Sequence, residues 1–219
     1  INSVSELEKW MFDNSELSAV LEEDMAWRYI RMNVNTTDKH LQNEFNFWIR
    51  EIAPKIAPFA HKFNLKLINS PFKDQLDYNT YNVYLRGVKN QIDIFRDENI
   101  LLLTQIQEKQ QLYGSITANM SIEHDGEILT LQQAGQLLKS TDRTIRKEVY
   151  DKITNRRLKD VKQLDDLFDE LIQLRQQVAL NAGFDNFRDY MFSAMGRFDY
   201  SPEDCINFHN SVKKPVSYT

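Results

Sequence analysis

The chain has 219 residues, 42% of them hydrophobic, which is enough for one large domain or two small ones and too apolar for global disorder. Its 27 basic and 32 acidic residues are well mixed and leave a net charge of −5, so the basic face that a nucleic-acid binder needs is not expected. No apolar run approaches the roughly 20 residues of a membrane span, the longest being Ile100-Leu101-Leu102-Leu103, and no signal peptide is visible.

Six glycines and five prolines punctuate the whole chain, and neither occurs between Gly135 and Gly183, so long helices are the natural use of the sequence. A first helix is predicted to start at Ser3 or Ser5, because Ser3-x-x-Glu6 has capping-box spacing. A second is expected after Asn14 or Ser15, with Leu17, Val20, Leu21, Met25 and Met32 on one face. Thr36-Thr37-Asp38 is the next start signal, followed by Leu41, Phe45, Trp48, Ile49 and Ile52 at helical spacing. Pro54 and Pro58 should break or redirect that helix.

Pro71 opens a short segment, and Thr80 is the expected cap of a helix carrying Leu85, Val88, Ile92 and Phe95. Another helix is predicted from about Asp97 to Gly114, with Leu103, Ile106 and Tyr113 facing in. The pattern then changes. Ile116 to Ile122 is partly alternating and β-branched, His124-Asp125-Gly126-Glu127 reads as a tight turn, and Ile128-Leu129-Thr130 returns. A small β-hairpin over about 116–130 is expected, with Thr130 capping a helix to Leu138.

A long helix is predicted over about 141–182, either as one bent helix or as two, since the pattern skips near Arg156-Arg157. Its stripe is Ile145, Val149, Ile153, Val161, Leu164, Phe168, Leu171, Leu174 and Val178, with Asp142/Arg146 and Glu148/Lys152 as charge pairs one turn apart. Asn181-Ala182-Gly183 is a stop signal with Gly183 in the left-handed position. A short helix from Asp185 or Asn186 to about Ala194, a connector over Gly196–Tyr200, and a strong start at Ser201-Pro202-Glu203-Asp204 complete the reading. The fold class expected is mainly α, a multi-helical lobe of long helices with one small β-hairpin. It divides into an N-terminal region, 1–90, and a lobe, 91–219.

Chemistry is harder to find. His40, His61, His124 and His209 are never three or four residues apart, and there is no His-Glu-x-x-His or Cys-x-x-Cys, so each histidine reads better as a surface or satisfied core residue than as a metal ligand. No Gly-x-Ser-x-Gly elbow or glycine-rich phosphate loop occurs. Asp165-Asp166 and Asp169/Glu170 fit a solvated helix face better than an acid/base pair. Phe187, Tyr190, Phe192, Phe198 and Tyr200 fit a packed joint better than a peptide-binding wall, and Arg197 and Asp199 are expected to pair there. The lone Cys205 excludes an internal disulfide, reads as a half-buried residue at a helix start, and points to a reducing, cytoplasmic compartment. The residues support no catalytic, metal-binding or substrate-binding assignment.

Several collinear stretches resemble oligoendopeptidase F, of the M3 family of zinc metallopeptidases. They are Phe95-Arg96-Asp97-Glu98-Asn99, Gly126 to Leu131, Asp142 to Glu148, Leu164 to Leu171 with Leu174-Arg175, Asn181 to Tyr190, and Gly196 to Cys205 with Phe208-His209. The order and spacing match over about Phe95 to Val212, while Ile1 to about Asn90 match only in helical character. The resemblance implies an enzyme that cleaves short peptides in a deep cleft between helical lobes. It further implies that zinc is held there by a His-Glu-x-x-His helix and a later Glu. Those residues lie downstream in the family, and His209 followed by Asn210 is no remnant of them. The expectation is an N-terminal lobe without its C-terminal catalytic domain, binding no zinc and inactive by itself. Ile1 at the start and Lys213-Lys214-Pro215-Val216-Ser217-Tyr218-Thr219 at the end suggest a truncated piece. The competing expectation is a stand-alone, non-enzymatic binding or scaffold module. A severed lobe should expose a large apolar face and a self-sufficient module should not.

Overall fold

The structure is a computed structural model that describes residues 1–216; Ser217, Tyr218 and Thr219 of the C-terminal run lie outside the described residues. Helix α1 spans Val4–Val34. The Ser3 hydroxyl accepts the Glu6 N–H at 3.1 Å, and the Glu6 carboxylate accepts the Asn2 N–H at 2.8 Å, so the reciprocal cap closes one residue early. The helix then runs straight through Asn14-Ser15, where a second helix was expected. The Ser15 hydroxyl donates back to the Phe12 carbonyl at 2.8 Å and so joins the existing turn instead of capping a new one. Leu7, Met11 and Met32 are buried, but Leu17 and Val20, expected to face in, are exposed.

Helix α2, Lys39–Phe47, starts where expected, with the Asp38 carboxylate accepting the His40 and Leu41 N–H groups. It passes without a stop through a π-helical stretch, Trp48–Ile52, into α3, Ala53–Ile68. Pro54 and Pro58 therefore do not break the helix. A proline ring crowds the carbonyl four residues back. The Ala53 N–H reaches the Trp48 carbonyl, five residues back, which widens the backbone ahead of Pro54 and leaves it in the first turn of α3.

A 3-10 turn, Lys73–Gln75, leads to α4, Tyr78–Ile94. Its cap is Asp77, whose carboxylate accepts the Thr80 N–H at 2.8 Å and the Thr80 hydroxyl at 2.6 Å, so Thr80 is the capped residue and not the cap. Helix α5, Glu98–Ala118, overruns Gly114 and takes Ile116 to Ala118 with it. The hairpin is accordingly shorter than 116–130, with β1 at Ser121–His124 and β2 at Glu127–Thr130, antiparallel, Ser121 opposite Thr130. Asp125 and Gly126 take φ of 51° and 80°, the left-handed pair a two-residue turn requires. Thr130 caps α6, Leu131–Leu137, in a reciprocal exchange with Gln133.

The expected long helix is two, α7 at Arg143–Leu158 and α8 at Val161–Asn181, parted at Lys159-Asp160. Glu148 and Lys152 pair at 2.6 Å, but Asp142 and Arg146 do not. Asp142 is occupied capping the Thr144 N–H at 2.7 Å, and Arg146 donates to the Ser140 and Thr141 carbonyls. Gly183, φ 88°, ends α8: its N–H reaches the Leu180 carbonyl and the Phe184 N–H the Ala179 carbonyl, both at 3.0 Å. Helix α9, Phe187–Ala194, follows an Asn186 cap, and α10, Pro202–Val216, starts at the predicted Ser201 signal.

The core is divided. Leu7, Met11, Leu67 and Val88 join α1, α3 and α4; Ile106, Leu167, Leu171, Val178 and Tyr190 join α5, α8 and α9; Ile122, Ala134, Val149 and Ile153 join the hairpin to α6 and α7. Leu167 occupies the place expected of Phe168, which is exposed, as are Val161, Leu103 and Tyr113. Asn99 is buried between α5 and α8; it donates to the Val178 carbonyl at 3.0 Å and accepts from Asn181 at 2.8 Å.

Candidate functional site

The four histidines are scattered through the fold. His40 lines a groove beside α1 with Glu23 and Arg28. His61, on α3, lies flat on Phe95 with ring centroids 4.0 Å apart. His124 sits at the end of β1, 3.5 Å from both Asp125 and Glu148, and His209 is exposed on α10. Among the described residues no group of three His, Cys, Asp or Glu side chains is arranged to hold a metal ion, so a zinc ion does not fit them. Lys152, with His124 behind it, holds the Glu148 carboxyl below the usual carboxylate range. Asp166 pairs with Lys162 at 2.6 Å and Glu170 with Lys109 of α5, while Asp165 and Asp169 are exposed, as a solvated face requires. Cys205 is half-buried in the first turn of α10.

The aromatic residues form two groups. Phe184 meets Tyr190 edge-on and Phe187 stacks on it, each at 5.8 Å, and this burial pushes the Tyr190 phenol up. Phe192 and Tyr200 meet edge-on at 5.8 Å, with the Arg197 guanidinium 4.8 Å over Phe192. Asp199 does not pair with Arg197. It accepts from Arg86 of α4 at 3.0 Å, and the same guanidinium lies 4.7 Å over Phe198. Asn90 of α4 donates to the Ser193 carbonyl at 2.7 Å and accepts from the Ser193 hydroxyl. Arg86 and Asn90 thus pin the joint to α4. No local signal in the sequence pointed to them, because their partners lie more than a hundred residues away.

What the described residues do offer is apolar concavity. A cleft of about 740 Å3 between α1, α2 and α5 is lined by Met25, Tyr29, Met32, Phe45, Gln111 and Tyr113. A groove of about 910 Å3 between α1, α3 and α4 is lined by Leu17, Phe47, Ile56, Phe59 and Tyr84. On α1, Phe12, Val20, Trp27, Ile30 and Val34 are exposed, Val34 to 82%; Val20 and Trp27 line the groove beside His40, and Ile30 lines the cleft with Tyr113. Such surfaces can hold an extended or helical chain against aromatic and amide groups, and they contain no activated nucleophile.

Comparison with known proteins gives these features a context. The family model for the peptidase M3 N-terminal domain matches residues 1–95, and the model for peptidase family M3 matches residues 136–218. No curated protein matches the chain. A crystal structure of a Bacillus anthracis str. Ames protein assigned as an oligoendopeptidase F is 27% identical, with a TM-score of 0.79 over 84% of this chain and 34% of that one. PZ peptidase A, solved with an inhibitor, shares the fold with a TM-score of 0.89 and 24% identity over 98% of this chain and 38% of that one. Oligoendopeptidase-F from Enterococcus faecium shares it at 0.65 and 16% identity, over 85% of this chain and 41% of that one. The chain therefore spans well under half the length of these structures. Two models of one family match in chain order, and nearly the whole fold recurs in oligoendopeptidase structures: the chain belongs to peptidase family M3.

Proposed function

We propose that this chain is the N-terminal helical lobe of a zinc-dependent oligoendopeptidase that hydrolyses short peptides, without the segment that binds zinc. The observation that carries this reading is the coverage: 84% of the chain superposes on only 34% of a structure assigned as an oligoendopeptidase F. The scattered histidines and the exposed apolar residues of α1 support it, because a lobe parted from its partner leaves apolar surface in water. We take regions 1–90 and 91–219 as two helical units, with α4, Tyr78–Ile94, crossing from one to the other. The catalytic domain is the lobe's partner, peptides are the parent's substrates, and the parent works in the cytoplasm.

The test is a zinc titration and a fluorogenic-peptide assay on the purified 219-residue chain. The reading expects no stoichiometric zinc binding and no cleavage, with both appearing once the chain is joined to the downstream part of an M3 peptidase. Zinc-dependent hydrolysis by the pure chain would refute it. A stop codon directly after Thr219 in the encoding frame would favour a stand-alone binding module instead.

A further inference from the structure

The cleft between α3 and the corner of α4 and α5 differs from every other concavity described above in its charge. It measures about 360 Å3 and is walled on one side by Ala53, Ala57 and Ala60 of α3, and on the other by Phe95 and Leu103. Its ionisable side chains are His61, Arg96 and the Tyr190 phenol, and no aspartate or glutamate lines it. In a chain with 32 acidic residues and a net charge of −5, a cleft with a guanidinium and no carboxylate is set apart.

Arg96 is half-buried. Its guanidinium donates to the carbonyls of Asp93 and Phe95, at 2.9 and 2.6 Å, and to that of Ala182 at 3.4 Å. These bonds fix the group, but carbonyls bear no formal charge, and among the described residues no carboxylate is recorded within ion-pair distance of it. His61 supplies a second donor. Its Nδ1 is shut away from solvent with no hydrogen-bond partner. A buried, unbonded N–H is costlier to leave than a lone pair with nothing to accept, so the proton belongs on Nε2. Stacking on Phe95, with only 11° between the rings, holds the imidazole in that pose. The amides of Gln91 and Gln107 line the same cleft. A fixed, partly desolvated cation beside neutral donors and an alanine wall complements one chemistry: an anionic oxygen group on a slim apolar body.

We propose that this cleft binds an organic carboxylate carried on an apolar, ring-sized body, with Arg96 as counter-ion and His61 as a second donor. Such a group is presented both by free aryl-alkanoic acids and by the C-terminal end of a peptide. The proposal does not rest on the peptidase reading, because it concerns binding by this chain alone.

The experiment is a titration of the 219-residue chain, followed by amide chemical shifts and calorimetry, with four probes: 3-phenylpropanoate, 3-phenylpropanamide, N-acetylphenylalanine and N-acetylphenylalaninamide. Each acid should bind at least about tenfold tighter than its amide, with shifts centred on residues 94–107. A tighter N-acetylphenylalanine identifies a peptide end, and equal acids identify the carboxylate in general; both support the site. Gln107→Glu leaves the Arg96 bonds alone and puts a carboxylate into the cleft, so it should abolish the preference for the acids. His61→Phe keeps the stack on Phe95 and should weaken both acids severalfold. Amides that bind as tightly as acids, no saturation by millimolar acid, or an undiminished preference in folded Gln107→Glu would each overturn the proposal.

Discussion

Replacing Asn99 by alanine tests how α5 and α8 are held together. Asn99 is 2% exposed, and its amide makes two bonds, to the Val178 carbonyl at 3.0 Å and from the Asn181 amide at 2.8 Å. A buried hydrogen bond contributes about 1 kcal/mol net, so losing two should cost about 2 kcal/mol. The Val178 carbonyl keeps the Ala182 N–H at 3.2 Å, so one of the two orphaned groups stays satisfied and the loss should not greatly exceed that figure. With a urea dependence of about 2 kcal/mol/M, the midpoint followed by far-ultraviolet circular dichroism should fall by roughly 1 M. Asn181→Ala alone should cost about 1 kcal/mol, and the double variant should fall short of the sum by about the same amount, because the two substitutions remove one shared bond. Strictly additive losses, or a shift below about 0.2 M for Asn99→Ala, would show that the buried amide holds nothing and that the reasoning is wrong.

Two glycines should respond with opposite signs. Gly183→Ala, at φ 88°, should lower stability by about 1 kcal/mol, whereas Gly135→Ala, inside α6 with open space around the new methyl, should raise it by about 0.5 kcal/mol in the same unfolding assay. Acid should destabilise the chain in a defined way. Asp77, Glu148, Asp189 and Asp204 all titrate below their ordinary range, through Thr80, Lys152, Arg188 and Ser201 respectively. Their contribution is therefore present above the unfolded carboxylate value near about 4 and is lost as pH falls through the folded values. The melting temperature should drop on acidification, with a shallower drop in Asp77→Asn. Arg86→Ala removes both the Asp199 bond and the contact with Phe198, so limited proteolysis should cut first in Met195–Tyr200. Arg86→Lys should restore the charge pair but not the stacking, and protection should be partial.

The site was less legible than the fold. Nothing in the spacing of Arg96 and His61 marks a shared cleft, since the end of α3 and all of α4 intervene between them. The apolar grooves were equally hidden, because a groove is a property of two helices and the sequence names the residues of each one separately. The exposed residues of α1 were not read from the sequence either: Val20 was placed on the inner face, and it is exposed.

Most caps and turns that close within about one turn of chain were determined by the sequence alone, α4 being an exception, since Asp77 and not Thr80 caps it. Asp38, Thr130, Asn186 and Ser201 start helices as read, Gly183 ends one, and Asp125-Gly126 turns the hairpin, since each cap or turn bonds to groups at most five residues away. Tertiary structure decided which faces are buried and which ions pair. Leu167 displaced Phe168 because burial depends on where α5 lies, and Asp199 chose Arg86 over Arg197 because α4 brings a guanidinium to it. It also decided where helices persist: Ser15 and Pro54 carry breaking signals worth about 1–3 kcal/mol. A turn that bonds backward or a π-helical stretch can absorb such a signal when the flanking residues, Leu7 and Met11 on one helix and Ile49 on the other, are already held in a core. Local hydrogen bonds are short-ranged and specific; burial is long-ranged and indifferent to order along the chain, so only folding could settle it.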